Sequence, residues 1–281
     1  MISRIISTLV LWGVILSSLW FFGVHAAVAL ITLLSALTLY EFYGMAGKMG
    51  LRPFKWMGIL TGVLMTAAPY CIALYYEEGT DLVQNLAAGL LVLALLVSCV
   101  RVLGERDATN RVESIGATVL GLLYVPFMLQ FLVRILMRDA GSGENLVLCL
   151  WVVTVSKFCD MGALLTGLAI GRHKMAPNIS PKKTWEGAVG GVLTSAAIGA
   201  GLAYYAAPWL PESLTPTVAA LVAAPLAIVT IVSDLIESVI KRRADTKDTG
   251  ALIPGIGGAF DLTDSLILTA PVAYFIFLFL E

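Results

Sequence analysis

Long apolar runs separated by short polar segments dominate the 281-residue chain. A helix needs about 20 consecutive apolar residues to cross a lipid bilayer. Nine runs approach this length, and the first two meet at a tight turn around Gly23. The runs lie at residues 5–23, 25–45, 56–76, 82–103, 114–136, 145–170, 186–207, 216–240 and 261–280. This pattern predicts an all-α integral membrane protein with about nine transmembrane helices.

The composition supports the membrane assignment. Hydrophobic residues make up 59% of the chain and charged residues only 13%, whereas soluble domains carry roughly 25% charged residues. The formal net charge is −1 and no segment is a basic domain, so we expect no nucleic-acid partner. The four cysteines are scattered singly, which predicts neither a disulfide framework nor a zinc site. We interpret the N-terminal run as a retained first span because it leads directly into another apolar segment.

The basic residues predict an orientation in the membrane. Fifteen of the 18 Lys and Arg residues fall on one side of the predicted spans, at the N-terminus and after spans two, four, six and eight. The other side has Arg134 and Arg138, and Lys157 lies inside span six. By the positive-inside rule, the N-terminus is cytoplasmic. Two polar segments, 156–191 and 233–265, then face the cytoplasm.

The segment 233–265 begins with a charged helical face. Asp234, Glu237, Ser238 and Lys241 have spacings that place them on one face of a helix continuing from span eight. Charged groups at a membrane boundary are costly unless they bind something. A cation site is one interpretation of this face. The alternative is an interfacial surface on which Glu237 and Lys241 form an ion pair.

A glycine-rich turn and two aspartates complete this segment. Three glycines between Gly255 and Gly258 allow close approach of a ligand and expose N–H groups to an anion, or they form a plain loop. Asp261 and Asp264 lie one turn apart at the start of the last span, where a bound cation would relieve their repulsion. Asp234 and Asp261 are the natural Mg²⁺ pair, because Mg²⁺ commonly takes one or two carboxylates plus phosphates. Alternatively, the two aspartates only cap the last helix.

The segment 156–191 predicts an anion site. Lys157 and Asp160 lie one turn apart within span six, and they either neutralise each other or line a polar cavity. A basic loop follows. The run from Ser180 to Thr184 is predicted to be a loop that enters a helix near Glu186, with Thr184 or a neighbour as the cap. These bases are denser than membrane orientation requires. A cytoplasmic anion is therefore the favoured explanation.

Together these residues resemble the phosphatidate cytidylyltransferase family, also called CDP-diacylglycerol synthases. The C-terminal signature of that family is matched at Ser238, Lys241-Arg242, Lys247-Asp248-Thr249-Gly250, 253–258 and 261–264. Its middle motif is matched at Asp160, Pro177, 180–184 and Glu186-Gly187. The resemblance covers roughly the last 45% of the chain, and the first 140 residues match only as hydrophobic spans.

The chain departs from the family pattern at four positions. Ile256 replaces a histidine, and Leu262 replaces an arginine. Lys157 is an uncommon residue one turn before Asp160, and Leu164 stands where an aromatic residue is usual. The carboxylates of the signature all remain. These departures leave a degenerate, non-catalytic paralogue as one alternative.

The resemblance implies transfer of CMP from CTP to phosphatidate or a related lipid phosphate, giving CDP-diacylglycerol and pyrophosphate in phospholipid synthesis. It implies Mg²⁺ as cofactor, with a monovalent cation such as K⁺ as a candidate second ion. The expected catalytic residues are Asp234, Asp261, Asp264, Lys241 and Asp248, and the expected metal ligands are Asp234, Asp261 and Asp160. The expected substrate-binding residues are Ser180, Lys182, Lys183, Thr184, Glu186, Arg242, Lys247, Gly257 and Gly258.

The expected organisation is a set of N-terminal helices over residues 1–140 and catalytic helices over 141–281, with a cytoplasm-facing polar cavity in the C-terminal half. We expect a multi-pass protein of the bacterial inner (plasma) membrane, in contact with membrane lipids, and a homodimer as a candidate assembly. Two other function classes remain open. A CTP-dependent isoprenoid or lipid-alcohol kinase would release CDP instead of pyrophosphate. An ion-coupled transporter would use Lys157, Asp160 and the boundary carboxylates as a relay.

Overall fold

The computed structural model describes residues 2–75, 81–104, 111–138, 144–246, 249–250 and 257–280, with the backbone alone for residues 2–12, 14, 81 and 84. These residues are almost entirely helical. The α-helices are α1 Ile2–Lys48, α2 Lys55–Ala73, α3 Asp81–Leu103, α4 Arg111–Tyr124, α5 Pro126–Leu136, α6 Glu144–Ile170, α7 Trp185–Tyr205, α8 Pro216–Arg243, α9 Ala259–Ile267 and α10 Thr269–Leu280. A short 3₁₀ turn, Ala207–Trp209, follows α7, and the strands β1 Lys174–Ala176 and β2 Ser180–Thr184 lie between α6 and α7.

Among the described residues, eight helical segments are long and apolar enough to cross a membrane. The predicted helical membrane class is therefore confirmed, but the predicted count of nine is not. The difference lies in α1, whose 47 residues would measure roughly 70 Å if straight, more than twice a ~30 Å hydrocarbon core. Gly23 interrupts this helix with φ 53° and ψ −128°. A break occurs where the sequence predicted a turn, and a separate first span stays a prediction.

Two predicted spans each consist of two helices. The span at 114–136 divides into α4 and α5 at Pro126, which lacks the N–H that a continuous helix would use. The span at 261–280 divides into α9 and α10 at Leu268. The segment from Ser180 to Thr184, predicted as a loop, is instead β2, which pairs antiparallel with β1. The protein is therefore helical apart from this one hairpin in the described residues.

The chain forms two compact units that interleave in sequence. The first consists of Met1–Val133 and Arg243–Thr263, and the second of Arg134–Arg242 and Asp264–Glu281. The signature segments are thus divided between the units, with Asp261 in the first and Asp264 in the second. The predicted functional division between residues 1–140 and 141–281 stays a prediction.

Close packing around Tyr43 organises the first unit. Tyr43 is buried and donates its hydroxyl to the Thr118 carbonyl at 2.8 Å. Gly58 on α2 and Gly121 on α4 lie so close to the Tyr43 ring that a Cβ at either position would collide with it. The Thr118 hydroxyl accepts a hydrogen bond from the Phe54 N–H at 2.8 Å. Small residues thus allow α1, α2 and α4 to approach closely, as is common between membrane helices.

A seam of small residues joins α6 and α7 in the second unit. Buried small residues recur every four positions along α7, at Gly187, Gly191, Ser195 and Gly199. The Ser195 hydroxyl donates to the Val155 carbonyl at 3.0 Å, and the Trp151 indole N–H donates to the Gly199 carbonyl at 3.0 Å. Such spacing lets two helices pack with their backbones near each other. The seam fixes the start of α7, and with it the hairpin, beside the end of α6.

Candidate active site

Three acidic side chains meet in the second unit. Asp234 and Glu237 lie one turn apart on α8, and Asp264 lies on α9. One carboxylate oxygen from each residue lies within 4.8 Å of the others. The Glu237 side chain is only 1% exposed, whereas Asp234 and Asp264 are half-buried. Oxygen ligands grouped this closely suit a hard cation such as Mg²⁺.

Each carboxylate of this acidic cluster (Asp234, Glu237 and Asp264) is paired with a lysine. The nitrogen-to-oxygen distances are 2.5 Å for Lys183–Asp234, 3.6 Å for Lys157–Asp264 and 2.8 Å for Lys241–Glu237. Neighbouring cations offset the repulsion between partly buried carboxylates. Lysine ammonium groups are also common partners of phosphate. The arrangement therefore offers acidic ligands for a cation and basic partners for a phosphate within a few ångströms.

Asp160 adds a fourth carboxylate from α6. It lies one turn after Lys157, as expected, and interacts electrostatically with Lys157, Asp264 and Asp234. Lys157 also donates a hydrogen bond to the Ser265 hydroxyl at 2.6 Å. Lys157 thus connects α6 to Ser265 on α9. The structure brings this intramembrane pair to the acidic cluster.

Ser233 positions the backbone at Asp264. Its hydroxyl donates to the Asp264 carbonyl and accepts from the Leu268 N–H at 3.4 Å. In a regular helix, that carbonyl and that N–H would bond to each other. Because the Ser233 hydroxyl takes their place, the last span breaks into α9 and α10 at Leu268, one turn after Asp264. Helix α8 therefore supplies both the acidic partners of Asp264 and the hydroxyl that bends its backbone.

The β-hairpin carries the middle motif to α8. Lys183 on β2 pairs with Asp234, and the Arg242 Nε donates to the Ile179 carbonyl in the hairpin turn at 3.3 Å. Lys182, on the same strand, is exposed, and Ser180 is half-buried. The middle motif and the first part of the C-terminal signature are therefore neighbours in the second unit, although more than 40 residues separate them in sequence.

Thr184 and Glu186 hold the start of α7. Thr184 is buried and accepts a hydrogen bond from the Gly187 N–H at 3.1 Å, which confirms the predicted cap. Glu186 accepts from the N–H groups of Arg172 at 3.1 Å and His173 at 3.2 Å, and its Oε1 lies 2.5 Å from His173 Nδ1. Both residues thus anchor the hairpin to α7. Their contact with a substrate stays a prediction.

An open cavity of about 720 Å³ lies beside this anchor. Its lining residues are Arg172, His173, Lys174, Trp185, Glu186 and Val189. Arg172 and Lys174 are exposed. The cavity combines positive charge with the apolar surfaces of Trp185 and Val189. A lipid phosphate with attached acyl chains would match this combination of surfaces.

Gly257, Gly258 and Asp261 lie in the first unit. The Asp261 Oδ2 accepts hydrogen bonds from the Gly258 N–H at 2.8 Å and from the Thr249 hydroxyl at 2.9 Å. Gly257 has a φ of 119°, and a Cβ there would lie 2.6 Å from the Asp261 Oδ2. Glycine is required at this position for both reasons. The Gly258 N–H binds a carboxylate of the protein itself, and the predicted substrate contacts of Gly257 and Gly258 stay predictions.

Part of the predicted site falls outside the described residues. Lys247, Asp248 and the signature segment 253–256, which includes the departure at Ile256, belong to this part. The predicted Mg²⁺ pair of Asp234 and Asp261 combines residues of the two units and also stays a prediction.

The sequence predictions missed two residues that the structure places at these motifs. Ser233 resembles an ordinary residue of an apolar helix, and nothing in its sequence neighbourhood signals the hydrogen bonds that it makes. Glu41 lies far from both motifs, on α1, where its carboxylate bonds to Thr249. An acidic residue inside a long apolar run is costly, and this cost could have marked Glu41 as a candidate.

Comparisons with known proteins identify the family. The sequence model of the cytidylyltransferase family matches residues 2–280. A phosphatidate cytidylyltransferase of Thermotoga maritima is 31% identical over 227 residues, which cover 78% of this chain and 77% of that protein. A phosphatidate cytidylyltransferase of Synechocystis is 30% identical over 298 residues, which cover 98% of this chain and 94% of that protein. For a Mycobacterium bovis relative of the same name, the values are 32% over 176 residues, covering 62% and 54%. The family resemblance and the enzyme class predicted from the motifs are confirmed, and the chain belongs to the cytidylyltransferase family.

Proposed function

We propose that this protein transfers CMP from CTP to phosphatidate, forming CDP-diacylglycerol and pyrophosphate in phospholipid synthesis. The observation that carries the proposal is the acidic cluster with a lysine on each carboxylate, within a helical membrane chain of this family. The names of the bacterial relatives support the lipid phosphate as acceptor. In this proposal the protein lies in the bacterial inner (plasma) membrane, with the site facing the cytoplasm, where CTP is available.

The reaction joins the lipid phosphate to the nucleotide. A lipid phosphate oxygen attacks the α-phosphorus of CTP, and the bond from this phosphorus to the bridging oxygen of the β-phosphate breaks. Pyrophosphate leaves with that bridging oxygen. Because the attacking oxygen is already charged near neutral pH, little general-base help is needed. Positioning and electrostatic stabilisation therefore account for most of the catalysis.

The acidic cluster would hold Mg²⁺ through Asp234 and Asp264. From the sequence, Asp234 and Asp261 are the predicted Mg²⁺ pair and Asp160 is a further predicted metal ligand. When bound, Mg²⁺ neutralises part of the triphosphate charge and orients its oxygens. Lys183 and Lys157, which pair with these carboxylates, would share them with the cation and donate to phosphate oxygens. A second, monovalent cation such as K⁺ remains part of the proposal.

The remaining basic residues would neutralise charge on the substrates. Lys241 and Arg242, near the end of α8, would face the triphosphate and the leaving pyrophosphate. Lys182 and Ser180 on β2 would bind the lipid phosphate or the nucleotide. The hairpin holds both strand residues near α8 through the Arg242–Ile179 hydrogen bond.

Identification of both products tests this function. Purified protein is incubated with CTP, Mg²⁺ and a panel of lipid phosphates and lipid alcohols. We expect CDP-diacylglycerol and pyrophosphate from phosphatidate. Release of CDP with a phosphorylated alcohol would instead indicate a kinase, and ion flux into liposomes without nucleotide would indicate a transporter. No nucleotide product with any acceptor would identify a non-catalytic paralogue.

The variant Asp264→Asn tests the site. It preserves the shape of the side chain but removes a negative charge from the acidic cluster, so we expect turnover at least 100-fold below that of the wild type. The matched control is Glu144→Gln, which removes an exposed carboxylate at the start of α6 and should leave turnover within twofold. Turnover of Asp264→Asn within threefold of wild type would exclude the acidic cluster as the catalytic metal site.

A further inference from the structure

Glu41 is a buried carboxylate within an apolar helix. It is the only Asp, Glu, Lys or Arg between Arg4 and Lys48, and only 6% of the residue is exposed. Its side chain accepts hydrogen bonds from the N–H groups of Ala259 at 3.0 Å and Phe260 at 2.9 Å. Its Oε2 also lies 3.0 Å from the Thr249 hydroxyl, whose single hydrogen it shares with the Asp261 Oδ2. All three donors belong to the C-terminal signature region, about 210 residues later in the chain.

These hydrogen bonds make Glu41 a remote cap for α9. The first N–H groups of a helix have no partner within the helix, and a Ser, Thr, Asp or Asn side chain just before the helix usually binds one of them. The residue before α9 is Gly258, which has no side chain. The Glu41 carboxylate on α1 supplies the missing acceptor, and its negative charge also suits the positive end of the helix dipole.

The glycines of the signature make room for this carboxylate. A Cβ at Gly250 or at Gly258 would collide with the carboxylate oxygens of Glu41. A Cβ at Gly258 would also collide with the Thr249 hydroxyl. Packing against Glu41 thus explains why positions 250 and 258 of the signature are glycine, independently of any contact with substrate. Glu41, Gly250 and Gly258 are packed closely together.

Thr249 connects Glu41 to Asp261. Its hydroxyl lies 3.0 Å from the Glu41 Oε2 and 2.9 Å from the Asp261 Oδ2. The Asp261 Oδ2 also accepts a hydrogen bond from the Gly258 N–H at 2.8 Å. The Glu41 carboxylate lies close to this same glycine. Asp261 is therefore held from two directions, through Thr249 and through the start of α9, and Glu41 contacts both.

We propose that Glu41 is a positioning residue for cytidylyl transfer. By capping α9 and contacting Thr249, it fixes the orientation of the Asp261 carboxylate, which the sequence predicts to be a ligand of the metal. This inference rests on the proposed function and extends it to a residue outside both motifs. Residues that orient a metal ligand through hydrogen bonds typically change metal affinity or activity about 10-fold to 100-fold when they are altered.

The test compares Glu41→Gln with Tyr43→Phe. Glu41→Gln keeps the side-chain volume but places an amide NH₂ group opposite N–H donors of α9. Tyr43→Phe lies on the same helix and removes a buried hydrogen bond of the same unit without touching the signature region. Mn²⁺ binding to the nucleotide-free protein in detergent is measured by electron paramagnetic resonance. Turnover and the KM for Mg²⁺-CTP are measured separately.

We expect at least 10-fold weaker Mn²⁺ binding and at least 10-fold lower turnover for Glu41→Gln. Tyr43→Phe should stay within twofold of the wild type in both measurements. A second variant, Thr249→Val, removes the link to Asp261 while leaving the two backbone bonds of Glu41, so we expect an intermediate loss of Mn²⁺ affinity. If Glu41→Gln does not fold, the Mn²⁺ affinity of Thr249→Val tests the inference instead.

Wild-type Mn²⁺ affinity in Glu41→Gln would overturn the inference, whatever its effect on thermal stability. Wild-type affinity in Thr249→Val would also overturn it, because the link to Asp261 would then be irrelevant. A wild-type protein that forms no CDP-lipid from any acceptor would instead contradict the proposed function. The two failures are distinguishable because Mn²⁺ binding is measured without substrate.

Discussion

Lys157 shows how one residue outside the family pattern is accommodated. A lysine within a transmembrane helix is costly unless it is paired. Lys157 has two partners in α9, the Asp264 carboxylate at 3.6 Å and the Ser265 hydroxyl at 2.6 Å, in addition to its interaction with Asp160. Its ammonium group therefore competes with any cation for the oxygens of Asp264. Its presence should weaken metal binding while it supplies positive charge for phosphate.

The variant Lys157→Met tests this competition. Loss of the ammonium group removes the rival for Asp264, so the Mg²⁺ concentration for half-maximal rate should fall about twofold to fivefold, the range of a partly exposed ion pair. Maximal turnover should fall because a phosphate partner is lost. The control is Lys48→Met, an exposed lysine at the end of α1, which should change neither value. A higher Mg²⁺ requirement in Lys157→Met would show that Lys157 orients Asp264 instead of competing for it.

At the scale of secondary structure, the break between α9 and α10 connects packing to the site. The apolar pattern of residues 261–280 predicts one continuous span, because periodicity reports which residues are buried but not which hydrogen bonds are interrupted. The break depends on Ser233, a residue of another helix, so local sequence could not reveal it. Thr230, one turn earlier on α8, pairs with the Thr269 hydroxyl at 3.1 Å. Helix α8 thus has one hydroxyl that bends the backbone between Asp264 and Leu268 and one that only connects its side chain to that of Thr269 on α10.

The comparison of Ser233→Ala with Thr230→Val separates these two roles. Each variant removes a buried hydroxyl, so each should lower the free energy of unfolding by about 1–2 kcal/mol. Only Ser233→Ala frees the Asp264 carbonyl and the Leu268 N–H to bond to each other and straighten the helix. We therefore expect Ser233→Ala alone to weaken Mn²⁺ binding, by about 10-fold. Equal Mn²⁺ affinities in the two variants would show that the break does not position Asp264.

The hairpin and Glu41 show where prediction from the sequence ends. The strands β1 and β2 are rich in lysine, Pro177 follows β1 and Pro181 lies within β2, which gives no strand signal. Their pairing is supported by tertiary contacts, such as the bond of Arg242 to Ile179 and the ion pair of Lys183 with Asp234. The Thr184 cap was predictable because it depends on residues three positions apart. The charge of Glu41 within an apolar run could have marked it as a candidate, but its partners were not predictable because they lie more than 200 residues away.

At the scale of the whole molecule, the path of α1 determines the orientation of the N-terminus. The break at Gly23 divides α1 into an arm of 21 residues, Ile2–Phe22, and one of 25, Val24–Lys48, and each is about as long as the 30 Å hydrocarbon core. If both arms cross the membrane, the N-terminus and the end of α1 lie on the same side. If α1 counts as one span, they lie on opposite sides. Arg4 near the N-terminus favours two crossings.

Cysteine labelling decides between these topologies. In a variant without the four native cysteines, single cysteines replace Ser3 near the N-terminus, Asn178 in the hairpin turn and Glu212 between α7 and α8. Intact cells permeable only at the outer membrane are treated with a membrane-impermeant maleimide. The excess of basic residues around the hairpin predicts that Glu212→Cys reacts in intact cells, whereas Asn178→Cys reacts only after the inner membrane is opened. With two crossings in α1, Ser3→Cys should behave like Asn178→Cys. Labelling of Ser3→Cys in intact cells would show that α1 crosses once, and labelling of Asn178→Cys there would contradict the cytoplasmic location of the site.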